Sequence, residues 1–99
     1  MKTHYAKASK TLGYDNKPDE SMINQMGYNL LEMEKVDFAG EFFKLNVEYY
    51  PNSFNVYDSL GDFYLASDNK DKAIESFEKA LAIQDNPDSR KKLEELKSN

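Results

Sequence analysis

The stretch YDSLGDFYLASDNKDKAIESF, residues 57–77, decides the fold because it places a glycine inside an otherwise helical pattern. Tyr57, Leu60 and Tyr64 recur at the spacing of one face of a helix. Gly61 costs such a helix about 1 kcal/mol relative to alanine. A glycine at this position therefore indicates a helix that packs closely against a neighbour.

The second half of the stretch predicts that neighbour. Asp68–Asn69 is a turn signal, and Ala73 and Phe77 then recur at helical spacing. Small side chains let two helices approach more closely than the usual distance of about 8–10 Å. We therefore expect Gly61 and Ala73 to face each other where the helices cross, and the hairpin to close around Phe77.

The same pattern occurs twice in the chain. A shift of 34 residues (from position 27 to position 61) aligns Gly27/Gly61, Leu31/Leu65, Asp37/Asp71, Ala39/Ala73, Glu41/Glu75, Phe43/Phe77 and Asn52/Asn86. This spacing, with Pro51 after the first copy, resembles the tetratricopeptide repeat, a pair of helices in 34 residues. The structural positions of the pattern are Gly27, Ala39, Phe43, Pro51, Tyr57, Leu60, Gly61, Tyr64, Ala73 and Phe77.

The sequence thus predicts an all-α domain over residues 1–99, a right-handed superhelix of two helix-turn-helix repeats with a flanking helix at each end. The predicted parts are an N-terminal helix and linker (1–19), repeat 1 (20–53), repeat 2 (54–87) and a capping helix (88–99). The predicted repeat helices cover residues 20–34, 36–50, 54–67 and 70–83, and the last helix runs from Pro87 to about Lys97.

Helix boundaries follow from capping residues. Asp19 and Ser53 are expected to cap the first helix of each repeat. At the N-terminus, Tyr5, Ala8 and Leu12 share one face of a short helix that Gly13 ends, and this helix is expected to cover the exposed side of repeat 1. In the last helix Leu93 and Leu96 are the apolar residues, and Arg90, Lys91, Lys92, Glu94 and Glu95 are expected to face water.

Composition excludes several classes of function. The net charge of −5 and the pI near 4.8 argue against nucleic-acid binding, which needs clustered Lys and Arg. Without cysteine there are no disulfides, thiolate nucleophiles or zinc–thiolate sites. No apolar run approaches the roughly 20 residues of a membrane span. We expect a soluble protein with no membrane partner, in the bacterial cytoplasm or periplasm, which the sequence does not distinguish.

No motif for catalysis, phosphate binding or metal binding is found. His4, the single histidine, lacks partners for a metal or proton-transfer site, and the acidic pairs lie on helices without the loop geometry of a calcium site. The sequence predicts no catalytic residue, no cofactor and no metal. The hypothesis that the chain is an enzyme would require turnover of an ester by these 99 residues alone.

The remaining candidate site is the concave groove lined by the first helix of each repeat. Its candidate contacts are Asn24, Tyr28, Leu31, Asn55, Asp58, Asp62 and Leu65. Tetratricopeptide domains that bind chaperones hold a peptide's terminal carboxylate with Lys, Arg and Asn, and this groove matches only at Asn24. Asp58 and Asp62 would repel a carboxylate. We therefore expect a neutral or basic peptide, or an empty, solvated groove.

Residues 4–81 also resemble the C-terminal extension of bacterial esterases of the α/β-hydrolase type. The resemblance rests on His4–Tyr5, Leu12–Gly13–Tyr14 with Pro18, FKLNVEYYPNS (43–53) and YDSLGDFYL (57–65). It implies a non-catalytic accessory module that docks on the hydrolase domain of the same protein. Such a module would rigidify the enzyme, shape access to its active site, or pair two copies as a homodimer. Phe38 and Phe42 depart from the family pattern and are expected to dock on a neighbour. The alternative is a stand-alone adaptor that binds a peptide.

Overall fold

The computed structural model describes residues 18–98, and every regular element in this range is a helix. The five helices are α1 (Glu20–Glu32), α2 (Val36–Tyr49), α3 (Phe54–Ala66), α4 (Lys70–Ile83) and α5 (Pro87–Lys97). The all-α fold class predicted from the sequence is confirmed. His4 and the N-terminal helix predicted from Tyr5, Ala8 and Leu12 lie outside the described residues.

The helices pair into two hairpins, α1–α2 and α3–α4, joined by tight turns. Both turns contain a non-glycine residue in the left-handed region, Glu34 (φ 62°) and Asp68 (φ 63°). The first helix of each hairpin therefore ends one or two residues before the predicted position, at Glu32 and Ala66. The left-handed residue reverses the chain and cannot continue a right-handed helix.

Side-chain caps define most of the helix starts. Asp19 accepts a hydrogen bond from the Met22 N–H at 3.2 Å, as predicted. Ser53 is the N-cap residue of α3, but its side chain makes no capping hydrogen bond. Its hydroxyl instead donates to Glu20 Oε2 at 2.7 Å, so it ties the start of α3 to the start of α1.

The helical glycines make room for aromatic rings. A Cβ on Gly61 would lie 2.5 Å from the ring of Phe77, and a Cβ on Gly27 would lie 2.5 Å from the ring of Phe43. Both rings are fully buried. Each hairpin is thus closed by one phenylalanine that lies over the glycine of the opposite helix.

A third glycine serves the contact between the hairpins. Gly40 of α2 lies directly under the Phe63 ring of α3, so that a Cβ there would overlap the ring. Phe63 also packs on Phe43 with ring centroids 6.4 Å apart. One aromatic core therefore runs from the first hairpin into the second.

The last helix covers the far end of the second hairpin. Leu93 is buried with Ala73 and Phe77, and Leu96 packs against the same cluster. Pro87 occupies the first turn of α5, and Asn86 caps it by accepting from the Ser89 N–H at 2.8 Å. The described architecture is therefore two stacked hairpins and a capping helix.

Candidate functional site

Side chains connect the first helix of each hairpin and the capping helix on one side of the molecule. We call this side, formed by α1, α3 and α5, the concave face, after the groove predicted from the repeat pattern. Contacts between these helices join residues one repeat length apart. Tyr28 of α1 contacts Asp62 of α3, and Asp58 of α3 contacts Lys92 of α5. The 34-residue period therefore continues into α5, which takes the place of the first helix of a further repeat.

A polar network crosses the three helices of this face. Lys92 Nζ donates to Asp58 Oδ2 at 3.0 Å and to Asp62 Oδ2 at 3.1 Å. Ser89 Oγ donates to Asp58 Oδ1 at 2.7 Å, and the Tyr28 hydroxyl donates to Asp62 Oδ2. We call Tyr28, Asp58, Asp62, Ser89 and Lys92 the concave network.

The surroundings of the network raise the pKa of its tyrosine and its lysine. Burial is the largest cause at Tyr28, and the hydrogen bond to Asp62 adds to it, so the pKa of the phenol lies well above its ordinary value. At Lys92 burial acts to lower the pKa of the ammonium, but hydrogen bonds and charge attraction from Asp58 and Asp62 outweigh it and raise the pKa. Both side chains therefore hold their protons more tightly in the folded state.

Lys92 corrects the expectation that the charged residues of the last helix face water. Its side chain is 33% exposed, and it lies between two carboxylates that are 13% and 22% exposed. The sequence analysis placed Asp58 and Asp62 in the groove but assigned them no partner. The missing signal was the repeat period itself, because Lys92 follows Asp58 by the same interval that separates Tyr28 from Asp62.

The other candidate groove residues differ in accessibility. Leu65 is 39% exposed, whereas Leu31 is half-buried against the cluster around Phe43. Asn55 is exposed near the start of α3. Asn24 Oδ1 is buried and has no hydrogen-bond partner within residues 18–98. The face therefore offers a polar centre with an accessible apolar residue beside it.

Within residues 18–98, no group of three or more His, Cys, Asp or Glu side chains is placed to hold a metal ion. None of the helices in that range is long and apolar enough to cross a membrane. Hydrogen bonds and ion pairs join the members of the concave network to one another. Its chemistry is that of a charged, hydrogen-bonding surface.

Comparison with known families agrees with this architecture. The model of the tetratricopeptide repeat family matches residues 54–87, which span α3, α4 and the start of α5. No curated protein matches the chain. The family match and the five helices support a tetratricopeptide repeat domain, and such repeats generally mediate protein–protein interactions.

Proposed function

We propose that this chain is a non-catalytic protein-interaction module whose concave face binds a neutral or basic segment of a partner. The concave network is the observation that carries the proposal. It joins α1, α3 and α5 through side chains of all three helices, so it fixes the shape of the face before a partner arrives. A surface fixed in this way loses less conformational entropy on binding than a mobile one.

The charge of the network selects the partner. Two carboxylates, Asp58 and Asp62, face one ammonium, that of Lys92, so one negative charge remains. An acidic segment would be repelled by that charge and would also have to compete with Asp58 and Asp62 for Lys92. A basic or neutral segment meets no such repulsion. Leu65 supplies apolar contact at the edge of the network.

Calorimetric titration with three peptides of equal length tests this selection. We expect a neutral and a basic peptide to bind and a peptide with an acidic C-terminal tail not to bind. Lys92→Met frees both carboxylates, so it should strengthen binding of the basic peptide and make that binding more sensitive to salt. Lys91→Met removes the neighbouring, exposed charge and serves as the matched control. Micromolar affinity for the acidic tail would contradict the proposal.

The resemblance of residues 4–81 to the extension of bacterial esterases supports a source for the segment, a hydrolase domain of the same protein. In this form of the proposal the module docks intramolecularly and shapes or rigidifies the enzyme. The alternative source is a separate protein bound by a stand-alone adaptor. The concave network is compatible with both sources, because it selects by charge and shape.

Two observations separate these sources. A hydrolase with its own serine nucleophile, encoded upstream of Met1 in the same reading frame, would support the accessory role, and its absence would favour the adaptor. The isolated chain is expected to show no turnover of a nitrophenyl ester. Turnover that follows the purified chain through several columns would overturn the non-catalytic assignment itself.

A further inference from the structure

The first hairpin presents an apolar surface on the side away from the second hairpin. Met22 and Met26 on α1 are 60% and 43% exposed, and Met33, which directly follows α1, is 61% exposed. On α2, Phe38 is 58% exposed and Phe42 is half-buried. We call these five residues the end face. So many large apolar side chains in one place indicate a surface that another element covers.

The repeat shows what kind of element covers such a face. Val56 and Leu60 of α3 lie one repeat length after Met22 and Met26. Val56 is 1% exposed, and Val47 of the preceding helix packs against the cluster that Val56 belongs to. Leu60 packs on the cluster around Phe43. On α3, therefore, the same face is covered by the second helix of the hairpin before it.

The position of Phe38 and Phe42 on α2 also places them on the end face. Phe38 and Phe42 are each two positions from Gly40, which corresponds to a rotation of about 200° around a helix. Gly40 contacts Phe63 and therefore faces the second hairpin. Phe38 and Phe42 consequently lie on the side of α2 that faces away from the second hairpin.

We propose that residues 1–17 cover the end face, in the position that the second helix of a preceding repeat would take. Tyr5, Ala8 and Leu12 have the spacing of one helical face and supply the apolar contacts to the methionines. The corresponding helix α2 has 14 residues, and residues 1–17 include enough chain for a helix of that length. This inference is independent of the function proposed for the concave face.

The point at which the segment joins the hairpin supports the same placement. The Tyr50 hydroxyl donates to the Pro18 carbonyl at 2.5 Å, and Asn46 Nδ2 donates to the Glu20 carbonyl at 3.1 Å. These bonds hold the start of α1, where residues 1–17 join it, against the end of α2. Asn46 is 1% exposed, and its Oδ1 lacks a hydrogen-bond partner among the described residues. A donor from residues 1–17 would supply one.

Disulfide trapping tests the placement, because the chain has no cysteine of its own. A segment antiparallel to α1 brings Leu12 close to Met22 and keeps it away from Met33, which lies about 16 Å further along the helix. We expect Leu12→Cys with Met22→Cys to form a disulfide rapidly within one chain. Leu12→Cys with Met33→Cys is the matched control and should oxidise at least tenfold more slowly. Circular dichroism of the reduced forms verifies that both variants fold.

Several results would overturn the inference. Equal oxidation of the two pairs, or no oxidation of either, would mean that the segment is not seated on the end face. Disulfide-linked dimers of the single variant Met22→Cys would assign the face to a second copy of the chain. A measurement without cysteine gives a second test: Leu12→Asp should lower the melting temperature, and Lys10→Asp, off the apolar stripe, should leave it nearly unchanged. Equal melting temperatures for these two variants would also count against the placement.

Discussion

At the scale of single residues, the fold depends on two glycines. Because each lacks a side chain, a phenylalanine ring of the opposite helix occupies the space beside it. Gly27 is matched with Phe43 and Gly61 with Phe77. Helix propensity alone would favour alanine at these positions by about 1 kcal/mol. The ring contact favours glycine instead, because any Cβ would overlap a ring that is fully buried in a closely packed core.

Gly61→Ala tests this balance. The added methyl group would lie 2.5–2.8 Å from three atoms of the Phe77 ring, so we expect a loss of about 1–3 kcal/mol in the free energy of unfolding. Urea denaturation measures the loss. In a Phe77→Leu background the smaller side chain should relieve the overlap, and the effect of Gly61→Ala should shrink. A stability gain in the otherwise native chain would contradict the contact.

Phe77→Ala should be among the most damaging single substitutions. The side chain is 0% exposed and lies between α3, α4 and α5, and truncation of such a phenylalanine costs about 3–5 kcal/mol. Phe38→Ala removes the same atoms from a side chain that is 58% exposed, and it should cost much less. Thermal unfolding of both variants measures the difference, and similar losses would argue against the assigned core.

The two left-handed turn residues offer stabilising substitutions. Glu34 and Asp68 have φ angles of 62° and 63°, which cost an ordinary residue about 1–2 kcal/mol and glycine little. Glu34→Gly is expected to raise the melting temperature, and Asp68→Gly to raise it less, because aspartate tolerates this region better. Lys35→Gly, one residue further on, is the control and should give no gain. A lower melting temperature for Glu34→Gly would show that the turn has another conformation.

At the scale of elements, α5 is held by apolar packing on one side and by the concave network on the other. Leu93 packs against Ala73 and Phe77 of α4, and Lys92 and Ser89 bond the carboxylates of α3. The apolar half of this contact was predictable, because Leu93 and Leu96 are the only large aliphatic side chains of α5. The polar contacts of Lys92 and Ser89 could be predicted only by knowing that α5 lies beside α3. The repeat period was not extended beyond repeat 2, so these contacts were missed.

The network predicts a dependence of stability on alkaline pH. Tyr28 and Lys92 have pKa values raised above their ordinary values of 10.0 and 10.5, so above those values the unfolded chain releases protons that the folded chain still holds. Their contribution to stability is therefore present below about pH 10 and is lost as the pH rises further. Lys92→Met should make the fall between pH 9.5 and 11 shallower, a range set by ordinary lysine and tyrosine pKa values of about 10. An unchanged slope, with Lys91→Met as control, would count against the ion pairs.

The helices themselves could be predicted almost completely from the sequence. Apolar periodicity and the repeat period located all five, and α4 and α5 have the predicted bounds. The errors concern side chains with more than one available partner. Ser53 was expected to cap its own helix but bonds Glu20, and Lys92 was expected to face water but bonds Asp58 and Asp62. Such choices depend on the distance between helices, which periodicity does not specify.

At the scale of the whole molecule, the stack has two unequal ends. One end is closed by α5, whose Leu93 and Leu96 pack on the second hairpin, and the other is the apolar end face of the first hairpin. Between them lies the concave face with its fixed network. The two faces are expected to act independently, so Leu12→Asp should lower stability without changing the preference of the concave face for basic over acidic peptides. A changed preference in calorimetric titration would show that the faces are coupled.

The central claim is that two equivalent hairpins are each closed by a phenylalanine ring over a glycine. Nuclear magnetic resonance tests it most directly through the Hα protons of Gly27 and Gly61. We predict strong nuclear Overhauser effects from Gly27 to the Phe43 ring and from Gly61 to the Phe77 ring, with ring-current shifts of the glycine protons at both places. Ordinary chemical shifts and no contact to either ring would contradict the account.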